Sequence, residues 1–507
     1  MIRRAVNPMS KKILAGGGLG VLGLAVLVSV LLAAPAHTQE PAKKTAADAP
    51  SVDEGKKIYD KYCAWCHGEK GAGDGPGAKY QLPRPRDFTS GAYKFRFTPS
   101  GDPPLDEDIY KSVAEGFPGT SMPPWKHALT EKQMWAVTHY LKTFSDAFKD
   151  AKPKKIEIAK QISPSKESIE KGAKLYKDLK CWECHGDEGR GDGPSAKDLK
   201  DDWGNPIRAS DLTQPWTYRG GATHLDIFRN FTTGLNGTPM PSYADTNSDE
   251  DRWHLANYVR SMAPAKDPSV ATLLSSAPVK GPIPDDPEAA AWKNAREGFL
   301  PFMPQIVEEP RHFTPMVTAA FVRSLYNDDE IAFLIRWSDP TESKDGAAVD
   351  AFAVQFPARE GEAGTKPYFL DGDEENPVML WLWKHGAAGA VELLGKGLKA
   401  AGPNPKPGTF TKTVASYKKG EYKLLVKYSL KDRPKGAVSF APGVFIPVAL
   451  QVWDGGNGEE GPKKGVTTWY WLTLEKPTPV SVYLYTVLAV VGAVAAQGWI
   501  VRRVRRS

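Results

Sequence analysis

The chain has 507 residues, 41% of them apolar and 25% charged, which suits about three or four globular units at roughly 150 residues each. This composition excludes collagen, a coiled coil, wholesale disorder and a polytopic membrane protein. The formal charge of +6 is terminal: Arg3, Arg4, Lys11 and Lys12 at one end and Arg502, Arg503, Arg505 and Arg506 at the other leave 58 bases against 60 acids for residues 37–501. No nucleic-acid partner is expected from a body close to neutral.

Residues 13–34 are apolar, follow Lys11-Lys12 and end in Ala34-Pro35-Ala36. A basic start, an apolar run and small residues at the end predict a secretory signal peptide over 1–36. The run is also long enough to stay as an anchor.

All four Cys fall in two motifs, Cys63-Ala64-Trp65-Cys66-His67 and Cys181-Trp182-Glu183-Cys184-His185. Positions three and four apart share one helical face. Both thiols can therefore add to the vinyl groups of one haem, while the adjacent His reaches its iron. A redox dithiol or half a zinc site would also use C-x-x-C. The first does not require the His, and no further Cys exists to complete the second. Two covalent c-type haems are expected, attached at Cys63/Cys66 and Cys181/Cys184.

The motifs are 118 residues apart and head a repeat. His67 lies 55 residues before Met122, and His185 lies 55 before Met240, each Met in a Gly/Pro-rich loop. Both His residues are followed by Gly-Asp-Gly-Pro, at 73–76 and 191–194. A lone Met is usually core filler, but matched flanks in two repeats predict Met122 and Met240 as second iron ligands beside His67 and His185. Each repeat should have a helix entering the motif (55–62; 172–180), a short helix near Ile109 or Ile227, and a closing helix. That last helix carries Trp135, Val137, Tyr140 and Leu141, or Trp253, Leu255, Tyr258 and Val259, at 3.6-residue spacing. Residues 53–150 and 169–263, joined by a linker over 151–168, resemble class I cytochrome c. The resemblance implies two all-α domains with His/Met-ligated haem, an arrangement suited to electron transfer.

A Pro-rich linker over 264–290 precedes a change of character. Short apolar or alternating runs at 331–337, 351–356, 422–430 and 448–452, separated by Asp-Pro and Asp-Gly turns, predict an antiparallel β-sandwich over 291–476. The segments 335–341, 353–357, 376–383 and 452–459 follow one another as in the haem-b-binding gamma subunit of ethylbenzene dehydrogenase and its nitrite oxidoreductase, selenate reductase and chlorate reductase relatives. In that family a Met and a Lys hold the haem. Here Asp371 stands at the Met position, and the Lys would be Lys463 or Lys464. Met379 and His385 are the replacement candidates for a third, b-type haem; without one, the domain would serve as a docking module.

Residues 480–501 are uncharged, span about a bilayer core and precede Arg502-Arg503-Val504-Arg505-Arg506. A single transmembrane helix with a basic cytoplasmic tail over 502–507 is expected, placing 37–479 on the periplasmic side of a bacterial membrane. The expected whole is a membrane-anchored di-haem cytochrome. It would pass electrons between an extracytoplasmic molybdoenzyme, through its catalytic and iron–sulfur subunits, and a soluble cytochrome or membrane oxidase. A di-haem peroxidase and an anchoring or assembly subunit are the rival readings.

Overall fold

The computed structural model describes residues 51–504, apart from 361–365, 432, 434–435 and 477–479. The expected export signal lies outside the described residues.

The first repeat comprises α1 (Val52–Tyr62), α2 (Ala64–His67), α3 (Asp106–Glu115) and α4 (Glu131–Lys142). The second comprises α5 (Lys166–Asp178), α6 (Trp182–His185), α7 (His224–Thr233) and α8 (Asp249–Ser261). Residues 151–165 connect them without regular structure. Side-chain oxygens set the starts of the long helices: Ser51 accepts from Glu54 N, and Ser165 from Ser168 N. Thr130 and Ser248 form reciprocal capping boxes with Gln133 and Asp251. In each repeat the first and last helices cross at a glycine. A Cβ at Gly55 would collide with the Ala136 carbonyl, and one at Gly172 with the His254 carbonyl. Trp135 stacks on Tyr110 with centroids 4.4 Å apart, and its counterpart Trp253 stacks on Phe228 at 4.1 Å.

Thirteen strands follow: β1 (Leu273–Pro278), β2 (Gly298–Pro301), β3 (Ala319–Tyr326), β4 (Glu330–Ser338), β5 (Ala351–Pro357), β6 (Val378–Lys384) and β7 (Val391–Gly395), then β8 (Ala401–Pro403), β9 (Phe410–Lys418), β10 (Glu421–Ser429), β11 (Phe445–Trp453), β12 (Gly465–Val466) and β13 (Tyr470–Leu474). A short helix, α9 (Ala290–Asn294), lies between β1 and β2. The hydrogen-bonded order is β8-β7-β6-β5-β11-β13-β1-β3-β4-β10-β9. β11 joins two layers: its first half pairs with β13 and its second half with β5. Rings from the two layers interlock. Trp337 of β4 meets Phe352 of β5 at 4.7 Å, and Phe333 meets Trp381 of β6 at 5.9 Å. Each fully buried apolar side chain here, such as Phe333 or Phe352, contributes about 1.5–3 kcal/mol.

The sheet is mixed, which corrects the expectation of an antiparallel sandwich. β1 runs parallel to both neighbours, β13 and β3. It comes from the Pro-rich segment expected as linker. Pro278 is the last residue of the strand, and Leu274 enters the core while Ser276 accepts from Ser324 across the sheet at 2.8 Å.

The last helix, α10 (Val480–Val504), is the one helix among the described residues long and apolar enough to cross a membrane. None of its window 487–504 is buried against the rest of the protein.

Candidate functional site

α1 ends at Cys63, and the single turn α2 carries the first motif, with His67 N donating to Cys63 O at 2.9 Å. The turn is locked from behind: Tyr59, fully buried, donates its hydroxyl to Gly68 O at 2.6 Å. In the second repeat Tyr176 donates to Gly186 O at the same distance. The spacing differs by one residue, nine in the first repeat and ten in the second. The extra residue is absorbed at Lys180, whose φ of 56° lies in the left-handed region.

His67 stacks on Phe88 at 4.5 Å, and its Nδ1 faces Arg86 O at 3.1 Å. A carbonyl can only accept, so Nδ1 carries the proton and the Nε2 lone pair is free. His185 Nδ1 faces Ser210 O at 3.0 Å in the same way. Burial pushes the His67 imidazole down to about 4 and lowers that of His185, keeping both neutral. Desolvation raises the Cys63 and Cys181 thiols to about 12 and about 11. That is opposite to the depressed thiol of a redox dithiol.

The Met loops are alike in detail. Phe117 N donates to Met122 O at 3.0 Å, and Leu235 N to Met240 O at 3.1 Å. Thr120 and Thr238 close each loop by donating to Phe117 O and Leu235 O, both at 2.7 Å. Cys63, Cys66, His67 and Met122 line one cleft. In the second repeat Cys181 and Met240 pack against the same apolar cluster.

The equal 55-residue spacing conceals two compensating loops. From the His to the carbonyl that orients it is 19 residues in the first repeat and 25 in the second. The first repeat recovers the six residues between Phe88 and Leu105. Both additions face the other domain. Arg96, in the longer loop of the first domain, is fully buried and donates to Thr233 O at 2.7 Å and Asn236 Oδ1 at 2.8 Å. Trp203, in the longer loop of the second, lies 4.8 Å from the Arg86 guanidinium.

The cleft of the first repeat fits a c-type haem on the chemistry of its lining residues. Two thiols and a neutral imidazole stand beside a thioether, and four buried donors facing it lack partners: Gln81 Nε2, Arg86 Nη1, Tyr93 Oη and Trp125 Nε1. Sequence reasoning missed Arg86, Tyr93 and Lys94 as lining residues, because nothing local marks them.

The b-type candidates do not fit a haem. Lys464 Nζ donates to both Asp371 oxygens, at 2.7 and 2.6 Å, and to Gln451 Oε1 at 2.9 Å. All three donors are used, so no lone pair remains for iron. The Asp at the family's Met position is thus paired with the Lys itself. Met379 is packed within the sandwich core. His385 faces Tyr422 Oη at 2.7 Å and Glu342 at 3.5 Å, and Lys463 lies in the turn before β12.

Residues 169–263 match the family described as cytochrome c, and residues 50–141 match cytochrome c oxidase, cbb3-type, subunit III. These are cytochrome c domains. They imply covalent haem c. The chain is 27% identical over 225 residues to a protein of Haloferax mediterranei described as a respiratory nitrate reductase heme subunit, covering 41% of this chain and 77% of that one. It is 49% identical to a chain of the Kuenenia stuttgartiensis reducing HAO-like protein complex, covering 42% of this chain and 97% of that one, with a TM-score of 0.41. A family 9 carbohydrate-binding module of Caldicellulosiruptor kristjanssonii is 12% identical with a TM-score of 0.26, covering 41% and 95%.

The sheet domain touches both cytochrome domains near these sites. Ser121, beside Met122, donates to Phe313 O at 2.6 Å, and Trp65 of the first motif stacks on Phe313 at 6.1 Å. Arg190 of the second domain pairs with Glu421 at 3.1 Å, and Lys419 with Glu188 at 2.5 Å.

Proposed function

We propose that this electron-transfer cytochrome is a membrane-anchored di-haem relay between an extracytoplasmic molybdenum oxidoreductase and the respiratory chain. One observation carries the relay: His67 and Met122 line the same cleft as the two attachment thiols. His67 and Met122 would then both hold the iron, which would leave no open site for peroxide, oxygen or nitrite and disfavours the peroxidase reading. Cys63 and Cys66 would anchor the first haem, with His67 and Met122 on its iron. Cys181, Cys184, His185 and Met240 would do the same in the second domain. The bound haem supplies reversible one-electron uptake.

The chain's own residues set its conditions. The Arg86 and Ser210 carbonyls hold the imidazole rings in one tautomer. Tyr59 and Tyr176 fix the attachment turns, and the Thr-closed loops hold each Met in place. The export signal over 1–36 and α10 as a membrane anchor with a cytoplasmic basic end complete the reading. The sheet domain, whose candidate Lys464 is held by Asp371 and Gln451, acts as a docking module for the partner's iron–sulfur subunit. Likeness to a respiratory nitrate reductase heme subunit favours a partner acting on a nitrogen oxyanion, with a nitrite oxidoreductase-like enzyme as the first choice.

Affinity isolation of the full chain from its native membrane should recover molybdenum and iron–sulfur subunits, with two haem c and no haem b per chain. Recovery of only a quinol oxidase or a multi-haem HAO-like partner would overturn the partner assignment. In reduced protein, carbon monoxide should leave both haems unchanged and bind one in each of Met122→Ala and Met240→Ala. Rapid binding to the unaltered protein would refute the relay.

A further inference from the structure

The cleft of the first cytochrome domain is not built by that domain alone. Arg219, from the second domain, lines it together with Arg84, Arg86 and Lys94, and no carboxylate does. Gathering bases in a recess is costly. Like charges repel, and desolvation penalises each one. The cost is visible on Lys94, where burial followed by the neighbouring Arg86 and Arg219 pulls the ammonium down to about 7. Burial brings the Arg219 guanidinium down to about 10. Asp201 is the acid nearest to offsetting Arg86 and Lys94, and among the described residues neither Lys94 nor Arg219 has an ion-pair partner.

The donors without partners point the same way. Arg86 Nη1, Tyr93 Oη and Gln81 Nε2 are buried on the wall of this cleft with nothing to accept from them. Buried donors are almost always satisfied in a completed structure. Four bases, with unsatisfied donors on Arg86, Tyr93 and Gln81, call for an anionic group with several acceptor oxygens. A haem carries two carboxylates on one edge, and guanidinium groups bind carboxylates in a two-point fork.

We infer that the carboxylate edge of the first haem is held at the seam between the two cytochrome domains, with Arg219 of the second domain completing a site begun by Arg86 and Lys94. The compensating loops explain how the seam arises. The residues added after Lys94 carry Arg96 to the second domain, and the addition before Ser210 brings Trp203 against Arg86. Arg219 and Lys94 also hold related places in the repeat, each directly after a tyrosine (Tyr218 and Tyr93) that follows the Asp-x-Thr turn. The second domain is therefore a cofactor-binding partner of the first. The haem edge facing it is the side from which an electron would cross.

The inference rests on the relay reading. Its test is spectroelectrochemical titration of the full haem-loaded chain, after covalent haem staining. The first haem is identified as the one whose potential moves in Met122→His. Removing a nearby cation disfavours electron uptake, so Arg219→Gln should lower the first haem's reduction equilibrium about tenfold, equivalent to about 59 mV for one electron. Arg219→Lys, which keeps the charge, should change it less than about threefold. Lys94→Gln should repeat the Arg219→Gln effect if that variant does not fold. Two loaded haems with the first unmoved, within a factor of two, in Arg219→Gln or Lys94→Gln would overturn the inference and leave the relay intact. Absence of covalent haem would overturn the relay itself.

Discussion

Removing the charge of Asp371 should destabilise the sheet domain severely, by an amount that shrinks as pH rises. The Asp371 and Lys464 side chains are 2% and 3% exposed and 2.6 Å apart. Asp371→Asn preserves the shape and tolerates the left-handed φ of 64°, so it isolates the charge. Lys464 then has two options. Remaining charged in an uncompensated site costs about 3–5 kcal/mol. Releasing its proton costs about 4.6 kcal/mol at pH 7 but only about 1.9 at pH 9, from an ordinary lysine near 10.4 and about 1.36 kcal/mol per unit. The cheaper route sets the loss, about 3–4.6 kcal/mol at pH 7 and about 2 at pH 9. The sign is consistent: an unfolded chain that binds more protons than the native one gains relative stability as pH falls. For a domain of this size the melting temperature should drop by about 6–18 °C at pH 7. The assay is calorimetry, with tryptophan fluorescence following the sandwich core. A loss below about 1 kcal/mol, or one equal at pH 7 and pH 9, would refute the reasoning. Asp371→Leu combined with Lys464→Met should recover to within about 2 kcal/mol of the original.

Tyr59→Phe and Tyr176→Phe should each cost about 1–3 kcal/mol in thermal unfolding of their own domain, because the Gly68 or Gly186 carbonyl loses a buried donor. Equal stability of variant and parent would show that another donor fills the place. Burial and the adjacent Asp454 raise the Glu459 carboxyl to about 7, against the opposing effect of the Asp454 N–H and Asn457 Nδ2–H, which donate to it. Between about pH 4.5 and 7 the native state then holds a proton that the unfolded state has lost. Sheet-domain stability should fall across that window by up to about 1.4 kcal/mol per pH unit. Glu459→Gln should flatten the slope, and an unchanged slope would assign it elsewhere.

The readings that needed only a few neighbouring residues were legible. C-x-x-C-H places its functional groups within one helical turn, so the chemistry shows in the spacing itself. The strands expected at 331–337, 351–356 and 448–452 correspond to β4, β5 and β11, because alternation and short apolar runs are local. β1 was not legible. Six residues among prolines do not show that they will enter a sheet parallel to partners 48 and nearly 200 positions away. The choice between Lys463 and Lys464 was equally closed. Val466 is paired with Gln451, and Lys464 shares its face while Lys463 takes the other.

The terminal +6 and the four cysteines were determined by the sequence alone: a charge label at each end and two attachment turns between them. The partners of the conspicuous residues were decided only by the tertiary structure. It turned a candidate haem-b lysine into half of a buried ion pair. It also showed that an equal spacing of 55 residues arises from unequal loops, and it set Arg219 in the cleft of a domain to which it does not belong. Covalent attachment is specified by short-range geometry along one turn. Charge compensation depends on which distant side chains share a desolvated space, and that is fixed only when the domains pack.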